Sequence, residues 1–318
     1  MLTDQNAIGV GWVRPTLHEA GTPEQQARWI PSIDDGSHIW CQLFSEPEAG
    51  SDLASLRTTA DRDGESYMVN GSKLWSTWAD IADWGILLAR TGAEGSARDE
   101  ADGGGDSEQS ERSKPTKHEG ISYFALDMRL PGVEVRPLVE MTGGHHFNEV
   151  FFTDVRVPAD CRIGAEGDGW RLAGVTLANE RVSLSEGGVL WGMGPTSDDL
   201  FAELRRRGGV ADPLLRQRAA RVYAMSVVLR LLGTRPDGPA SSIRKALADE
   251  HGQHVTALMK DLAGAHGMLG ECGEHVKDAD PWHWGYLFSR ALTIGGGTSE
   301  VQRNIIGERL LGLPREAK

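Results

Sequence analysis

The amino-acid sequence lacks the features that mark membrane and secreted proteins. Its 318 residues contain no run of about 18 uncharged apolar residues, so no transmembrane helix is predicted. The first residues, 1–6, have neither a basic start nor an apolar run, and no signal peptide is expected. The length still allows two or three packed layers with a sizeable core.

Cysteine is scarce, and acidic residues outnumber basic residues. The three cysteines, Cys41, Cys161 and Cys272, lie far apart without a CxxC pair. Such a set suits a reducing cytosol and argues against a disulfide framework and a zinc site. We therefore expect a cytoplasmic protein without a metal. The net charge of -13 disfavours nucleic acid or an anionic membrane as the main partner, which leaves a small-molecule enzyme and a protein-binding module open.

Residues 1–38 contain a short helical signal over 23–30. Thr22 is a suitable N-cap, and proline at 23 fits the first helical position. Pro31 is expected to end this helix.

Residues 39–165 change to short strands separated by turns. Strands are predicted at 66–69, 72–77, 121–126 and 149–152, with a hairpin turn at Asn70-Gly71. An all-β unit of barrel or sandwich type is the natural interpretation. Within it, residues 92–118 are rich in Gly, Ser, Asp and Glu and nearly free of apolar residues, so we expect a disordered surface loop there.

Helical periodicity dominates from residue 166 to 318. Apolar residues recur at spacings of three and four over 213–232 and 240–268, which indicates long amphipathic helices and a bundle. The fold class predicted from these three regions, 1–38, 39–165 and 166–318, is an α+β multidomain chain.

Four segments of the sequence concentrate residues able to bind a ligand. They read QLFSEPEAGSD at 42–52, NGSKLWST at 70–77, NEVFFTDVRVP at 148–158 and GGGTSEVQRN at 295–304. In this order and spacing, from residue 21 to 314, the chain resembles the acyl-CoA dehydrogenase family. The resemblance implies an N-terminal helical domain, a middle β-barrel, a C-terminal four-helix bundle, and FAD held non-covalently between barrel and bundle.

The resemblance also implies a set of flavin-binding residues. These are Gln42, Phe44, Ser45, Trp75, Thr77, Thr298 and Glu300. The Ser45 hydroxyl would bond the polar edge of the flavin ring, Trp75 would cover one ring face, and Thr77 would donate a hydrogen bond near N5 or O4. Thr298 and Glu300 would touch the dinucleotide part. For Trp75 the alternative is a tryptophan in the barrel core.

The reaction of this family needs a carboxylate that removes the α-proton of the acyl thioester. Many members carry it directly before the Gly-Thr of the last motif, where this sequence has Gly296. Other members place a glutamate before an arginine on the first bundle helix, and Glu180-Arg181 stands at that position. We therefore assign Glu180 as the base, with Gly296 leaving room for its side chain. A surface glutamate paired with an arginine is the alternative.

Substrate binding is assigned to Ser51, Arg181 and Gly296. By the same resemblance Ser51 would help to seat the flavin and the thioester-bearing arm, and Arg181 would meet the pyrophosphate or pantetheine of CoA unless it forms a simple salt bridge. The His145-His146 pair has no nearby Cys or carboxylate to complete a metal site.

The resemblance departs from the family at two places. Residue 21 corresponds to a point late in the N-terminal domain, so most of that helical domain is expected to be missing. The turn 264–267 stands where the family often has a Gly-rich turn that contacts FAD across a dimer interface, but Asp261, shortly before it, replaces the usual amide donor.

The function implied is FAD-dependent oxidation of an acyl-CoA to a trans-2-enoyl-CoA, as in fatty acid β-oxidation, with electrons passed to an electron-transferring flavoprotein. The family's flavin sites span subunits, so we expect a homo-oligomer or a hetero-oligomer with a homologue. Two alternatives stay open: a non-catalytic or truncated partner subunit of a full-length homologue, and an acyl-CoA oxidase.

Overall fold

A computed structural model describes residues 6–92, 116–186, 189–234, 240–268, 270 and 280–315. The chain divides into two compact units. The first comprises Met1–Leu138 and His146–Leu177, and the second comprises Val139–His145 and Ala178–Lys318. Most of the predicted loop 92–118 lies outside the described residues. No helix within the described ranges is long and apolar enough to cross a membrane.

The first unit begins with short helices. A π-helix over Gly9–Val13 leads into α1 (Arg14–Ala20), and α2 follows at Pro23–Asp34. Thr22 caps α2 through a capping box with Gln25, as its sequence position predicted. The expected end at Pro31 is wrong, because the helix continues through Pro31 and buries Ile33 completely.

One mixed sheet of eight strands forms the body of the first unit. Its strands are β1 (Trp40–Leu43), β2 (Thr59–Asp63), β3 (Ser66–Thr77), β4 (Trp84–Arg90), β5 (Ile121–Asp127), β6 (Val133–Leu138), β7 (Phe147–Pro158) and β8 (Arg162–Ile163). The hydrogen-bonded order is β6-β7-β3-β2-β4-β5-β8, and β1 pairs with β4 in parallel. The predicted β unit is therefore confirmed, with β4 and β5 almost wholly buried.

The hairpin predicted at Asn70-Gly71 is wrong. β3 runs straight through both residues and pairs with β7 across a register shift between Val69 and Gly71. Asn70 bonds Asp154 on β7, and a Cβ at Gly71 would lie only 2.6 Å from Oγ1 of Thr58. Gly71 thus serves a close backbone approach rather than a turn.

The second unit is helical, as the sequence predicted. Its helices include the last part of α3 (Gly169–Glu186), then α4 (Ser197–Arg206), α5 (Pro213–Gly233), α6 (Ala240–Ala263), α7 (Pro281–Phe288) and α8 (Ser299–Ile305). A π-helix follows at Ile306–Leu310. Helix α6 packs against α4, α5, α7 and α8 and is the centre of this unit.

Candidate active site

The turn after β1 is built around a buried carboxylate. Glu46 and Ala49 exchange two backbone hydrogen bonds of 3.1 Å, and the Glu46 side chain accepts from the backbone N–H of Arg57 at 2.6 Å and from Thr58. Lys73 of β3 donates to the same carboxylate at 2.7 Å and to the Phe44 carbonyl at 3.1 Å. The segment that follows β1 is therefore tied to β3.

Burial and charge act against each other in this ion pair. Burial tends to raise the pKa of Glu46, but the Lys73 charge and the hydrogen bonds outweigh it, so the pKa is lowered. Burial lowers the pKa of Lys73 to about 8, although the carboxylate opposes that shift. A fully buried pair with this many partners fixes the geometry of the turn.

Three of the residues predicted to contact flavin lie on adjoining segments of the first unit. The Leu74 N–H donates to the Ser45 carbonyl at 2.8 Å, so Ser45 lies beside the start of the Trp75–Thr77 stretch. Trp75 has a left-handed backbone with φ 62° and a side chain that is 59% exposed. Its ring meets Phe147 edge-on at 5.8 Å, and Phe147 is the cross-strand partner of Thr77.

The exposure of Trp75 answers one question left open by the sequence. A core tryptophan would be enclosed, whereas the Trp75 indole presents a broad apolar face at the surface of its unit. A backbone conformation that non-glycine residues seldom adopt holds it there. An exposed aromatic surface on a segment that also carries Thr77 and adjoins Ser45 fits a planar heteroaromatic ring such as isoalloxazine. The residues present are thus compatible with FAD.

The remaining predicted residues of the first unit differ in exposure. Gln42 is half-buried on β1, and Ser51 is exposed in the turn that follows. The Phe44 ring is buried against Tyr123 at 5.8 Å, so it lies in the core of the sheet.

In the second unit the structure brings Glu180 and Gly296 together. Glu180 lies on α3 and is only 6% exposed. Gly296 has φ +65°, and a Cβ placed on it would lie 3.5 Å from Oε1 of Glu180 and 2.6 Å from Cδ1 of Leu184. A larger residue at 296 would therefore crowd the space beside the carboxylate.

Arg181 adds positive charge next to Glu180. It is half-buried, and its Nε has no hydrogen-bond partner within the described part of the chain. Burial lowers the pKa of the Arg181 guanidinium; the Glu180 charge opposes this shift, and Arg309 adds to it. An arginine held in this setting is suited to an anionic group of a ligand.

Thr298 and Glu300 lie at the start of α8. The Thr298 hydroxyl accepts from the Val301 N–H at 3.2 Å and caps the helix. Glu300 is exposed, 3.8 Å from Arg303, and its pKa is lowered by a backbone hydrogen bond and by Thr298. Asp261, at the departure from the family pattern, forms an ion pair with Arg218.

Sequence reasoning missed a second buried ion pair in this unit. Lys245 and Asp249 on α6 are 0% and 3% exposed and lie 2.5 Å apart. The Lys245 ammonium also donates to the carbonyls of Leu292 at 3.3 Å and Gly297 at 2.9 Å. The signal was available, because a lysine and an aspartate four residues apart interrupt the apolar face of a predicted amphipathic helix.

Comparison with known proteins identifies the family. Residues 41–105 match the model for the acyl-CoA dehydrogenase middle domain, and residues 167–311 match that for the acyl-CoA dehydrogenase C-terminal domain. The chain is 42% identical to acyl-CoA dehydrogenase IpdE1 of Mycobacterium tuberculosis, over 98% of this chain and 77% of that protein.

Solved structures agree with this assignment. The Tcur3481-Tcur3483 steroid ACAD has a TM-score of 0.81 at 28% identity, over 98% of this chain and 77% of that chain. The ChsE4-ChsE5 complex from Mycobacterium tuberculosis has a TM-score of 0.80 at 30% identity, over 99% and 79%.

A flavoprotein oxidoreductase is the class that this fold and these motifs define. The chain belongs to the acyl-CoA dehydrogenase family. FAD is the cofactor of this family, as the sequence motifs predicted.

Proposed function

We propose that this chain oxidises an acyl-CoA thioester to the trans-2-enoyl-CoA, with Glu180 as the base that removes the α-proton. The observation that supports this proposal best is the 3.5 Å separation between Oε1 of Glu180 and the Cβ position of Gly296. The position at which many members of the family carry the base is a glycine here, Gly296. The carboxylate of Glu180 is buried directly beside it.

Other residues of the chain bind the CoA thioester and the cofactor. Arg181 binds a phosphate or pantetheine group of CoA, and Ser51 helps to seat the thioester arm. When bound, FAD would supply the acceptor for the β-hydrogen and would be contacted by Gln42, Ser45, Trp75 and Thr77, with Thr298 and Glu300 at the dinucleotide. The buried Phe44 ring would support this site from the core of the sheet. The electrons pass to an electron-transferring flavoprotein.

The relatives support a proposal for the substrate class and for the assembly. One similar structure is described as a steroid ACAD, which favours a steroid-derived acyl group in place of a simple fatty acid. Another is a complex of two chains, ChsE4 and ChsE5, which favours a hetero-oligomer with a homologous chain over a homo-oligomer. The cytoplasmic location expected from the sequence stays a prediction.

The test is an anaerobic titration of the purified protein with a steroid-derived acyl-CoA and, separately, a medium-chain acyl-CoA. We expect a flavin band near about 450 nm that bleaches in the wild type and persists in Glu180→Gln. Asp198→Asn is a matched control that removes an exposed carboxylate of the same unit and keeps the bleaching.

Each other outcome identifies a different error. Normal bleaching in Glu180→Gln would show that another group is the base. Bound flavin that no acyl-CoA bleaches would show that the substrate class is wrong. A chain that binds no flavin alone but does so when co-purified with a homologue lacking a base would support the hetero-oligomer, and rapid reoxidation by oxygen would favour an oxidase.

A further inference from the structure

The glycine turn beside Glu180 is held by two buried side chains. Nζ of Lys245 donates to the Gly297 carbonyl at 2.9 Å, and Nε2 of Gln302 donates to the Gly296 carbonyl at 3.0 Å. Both side chains belong to residues that are fully buried. The turn, whose glycines have left-handed backbones, is therefore also fixed by side chains from α6 and α8.

Lys245 lies close to the Glu180 carboxylate as well as to the turn. The Cβ position of Gly296 is 3.1 Å from Cε of Lys245 and 3.5 Å from Oε1 of Glu180. The carboxylate oxygen and this carbon thus cannot be farther apart than those two distances together. The charged Nζ is one covalent bond beyond Cε, and opposite charges this near to each other interact in a dry interior.

The three protons of the Lys245 ammonium are already engaged. Asp249, the Leu292 carbonyl and the Gly297 carbonyl each accept one. Lys245 therefore acts on Glu180 through its charge and through the turn rather than through a direct hydrogen bond. The ionisation state of Asp249 determines how much of the Lys245 charge is compensated. Burial raises the pKa of Asp249 to about 6.

We propose that Lys245 is a positioning residue for the Glu180 site. Lys245 holds the Gly296-Gly297 turn in place, and its positive charge stabilises the ionised Glu180 carboxylate. The negative charge of Asp249 compensates part of the Lys245 charge. This inference rests on the proposed function of Glu180 as the base. It adds a buried ion pair on α6 to the groups that act on the base on α3.

Other charged groups near these residues stay constant in the test. Arg181 follows Glu180 on α3, Arg309 of the π-helix after α8 acts on Arg181, and Glu250 acts on Asp249 from the next position of α6. Because substitutions at 245 and 249 leave these groups in place, changes in the titration of Glu180 report on the Lys245–Asp249 pair.

The experiment compares the direction in which two variants shift the pH at which Glu180 ionises. Lys245→Met removes a positive charge and is expected to raise the pH at which Glu180 ionises by about 1 to 2 units. Asp249→Asn keeps the acceptor oxygen but removes a negative charge, so Glu180 is expected to ionise at a lower pH. Both variants break the ion pair, so a purely structural role moves both titrations the same way.

The readout is the carboxyl carbon signal of Glu180 in protein labelled with carbon-13 glutamate, assigned by its loss in Glu180→Gln and followed against pH. The pH dependence of anaerobic flavin bleaching by acyl-CoA is measured in parallel. Lys245→Arg keeps the charge and should restore a titration near that of the wild type. If Lys245→Met does not fold, the sign is still tested by Asp249→Asn, which should lower the pH at which Glu180 ionises, while the charge-keeping Lys245→Arg should not change it.

Shifts in the same direction for both variants, or no shift in either, would overturn the inference. Its failure is distinct from failure of the proposed function. Bleaching that persists in Glu180→Gln rejects Glu180 as the base even when the carbon-13 titration moves with the charges at 245 and 249.

Discussion

The Nζ of Lys73 lies 2.7 Å from Oε1 of Glu46, and the two side chains are 0% and 8% exposed. Glu46 directly follows Ser45 in the turn after β1, and Lys73 precedes Trp75 by two residues on β3. The pair therefore joins, inside the first unit, the two segments that present Ser45 and Trp75.

Replacing Lys73 by methionine leaves the Glu46 carboxylate buried without its counter-ion. We expect a loss of about 3 kcal/mol or more in the free energy of unfolding, because an uncompensated buried charge costs more than a lost surface contact. Equilibrium unfolding in urea measures the change. The hydrogen bonds from Arg57 and Thr58 to Glu46 hold the loss near the lower end of the usual range.

Arg57→Ala is the control for this variant. Its side chain pairs with Glu48 at 2.8 Å in the same turn, but both side chains are more than two-thirds exposed, at 79% and 70%. A surface pair of this kind contributes about 0 to 1 kcal/mol. Equal losses in Lys73→Met and Arg57→Ala would show that burial of the pair is unimportant.

Trp75→Ala separates ligand binding from stability. The indole is 59% exposed, so its removal should change the unfolding free energy by no more than about 0.5 kcal/mol. Loss of the aromatic face should weaken FAD retention by about tenfold, measured as the flavin released on dilution. Ile81→Ala, at another exposed apolar side chain of this unit, should leave retention unchanged. Unchanged retention in Trp75→Ala would remove this residue from the cofactor site.

Gly296→Ala introduces a methyl group at a left-handed position beside Glu180. The backbone strain and the 2.6 Å approach to Cδ1 of Leu184 should together cost about 1 to 3 kcal/mol and slow flavin bleaching. Gly174→Ala is a matched control, because this glycine lies in α3 and no atom of the described residues outside its own helix backbone comes within 4 Å of its Cβ position. It should stabilise the protein by up to about 1 kcal/mol. A Gly296→Ala protein as stable and active as the wild type would contradict the crowding.

The spatial neighbours Glu180 and Gly296 could be predicted from sequence, because both positions belong to motifs of one family. An empty position in one motif and a carboxylate in another suggested a shared space, and the Cβ distance of 3.5 Å agrees with that expectation. The helical cap at Thr22 was equally visible, since all of its partners lie within one turn.

The long-range contacts could not be predicted from local patterns in the sequence. Asn70-Gly71 has the local signature of a hairpin, yet Asp154 and Thr58, distant in the chain, fix these residues inside a continuous strand. The partners of Lys245 include Leu292 and Gly297, more than forty residues away, so its contact with the turn could not be inferred from helical spacing. Tertiary contacts overrode or supplemented the local signal in both cases.

His251→Gln should flatten the dependence of stability on pH below neutrality. The Nε2 of His251 on α6 lies 2.8 Å from the Ser197 hydroxyl of α4 and 3.1 Å from that of Ser226 on α5. Burial, with a smaller contribution from His254, lowers the pKa of His251 to about 4, below its ordinary value of 6.5. The unfolded chain therefore binds more protons than the folded protein between these two values, and stability falls as the pH falls through that window.

This single histidine should contribute about 3 kcal/mol to the loss of unfolding free energy between pH 7 and pH 4. Urea unfolding at several pH values, compared between the wild type and His251→Gln, isolates the contribution, because the other titrating groups are common to both proteins. His254→Gln, exposed on the same helix, serves as the control and should keep most of the dependence. Parallel curves for the wild type and His251→Gln would mean that the pKa of His251 is the same in the folded and unfolded states, which would contradict this prediction.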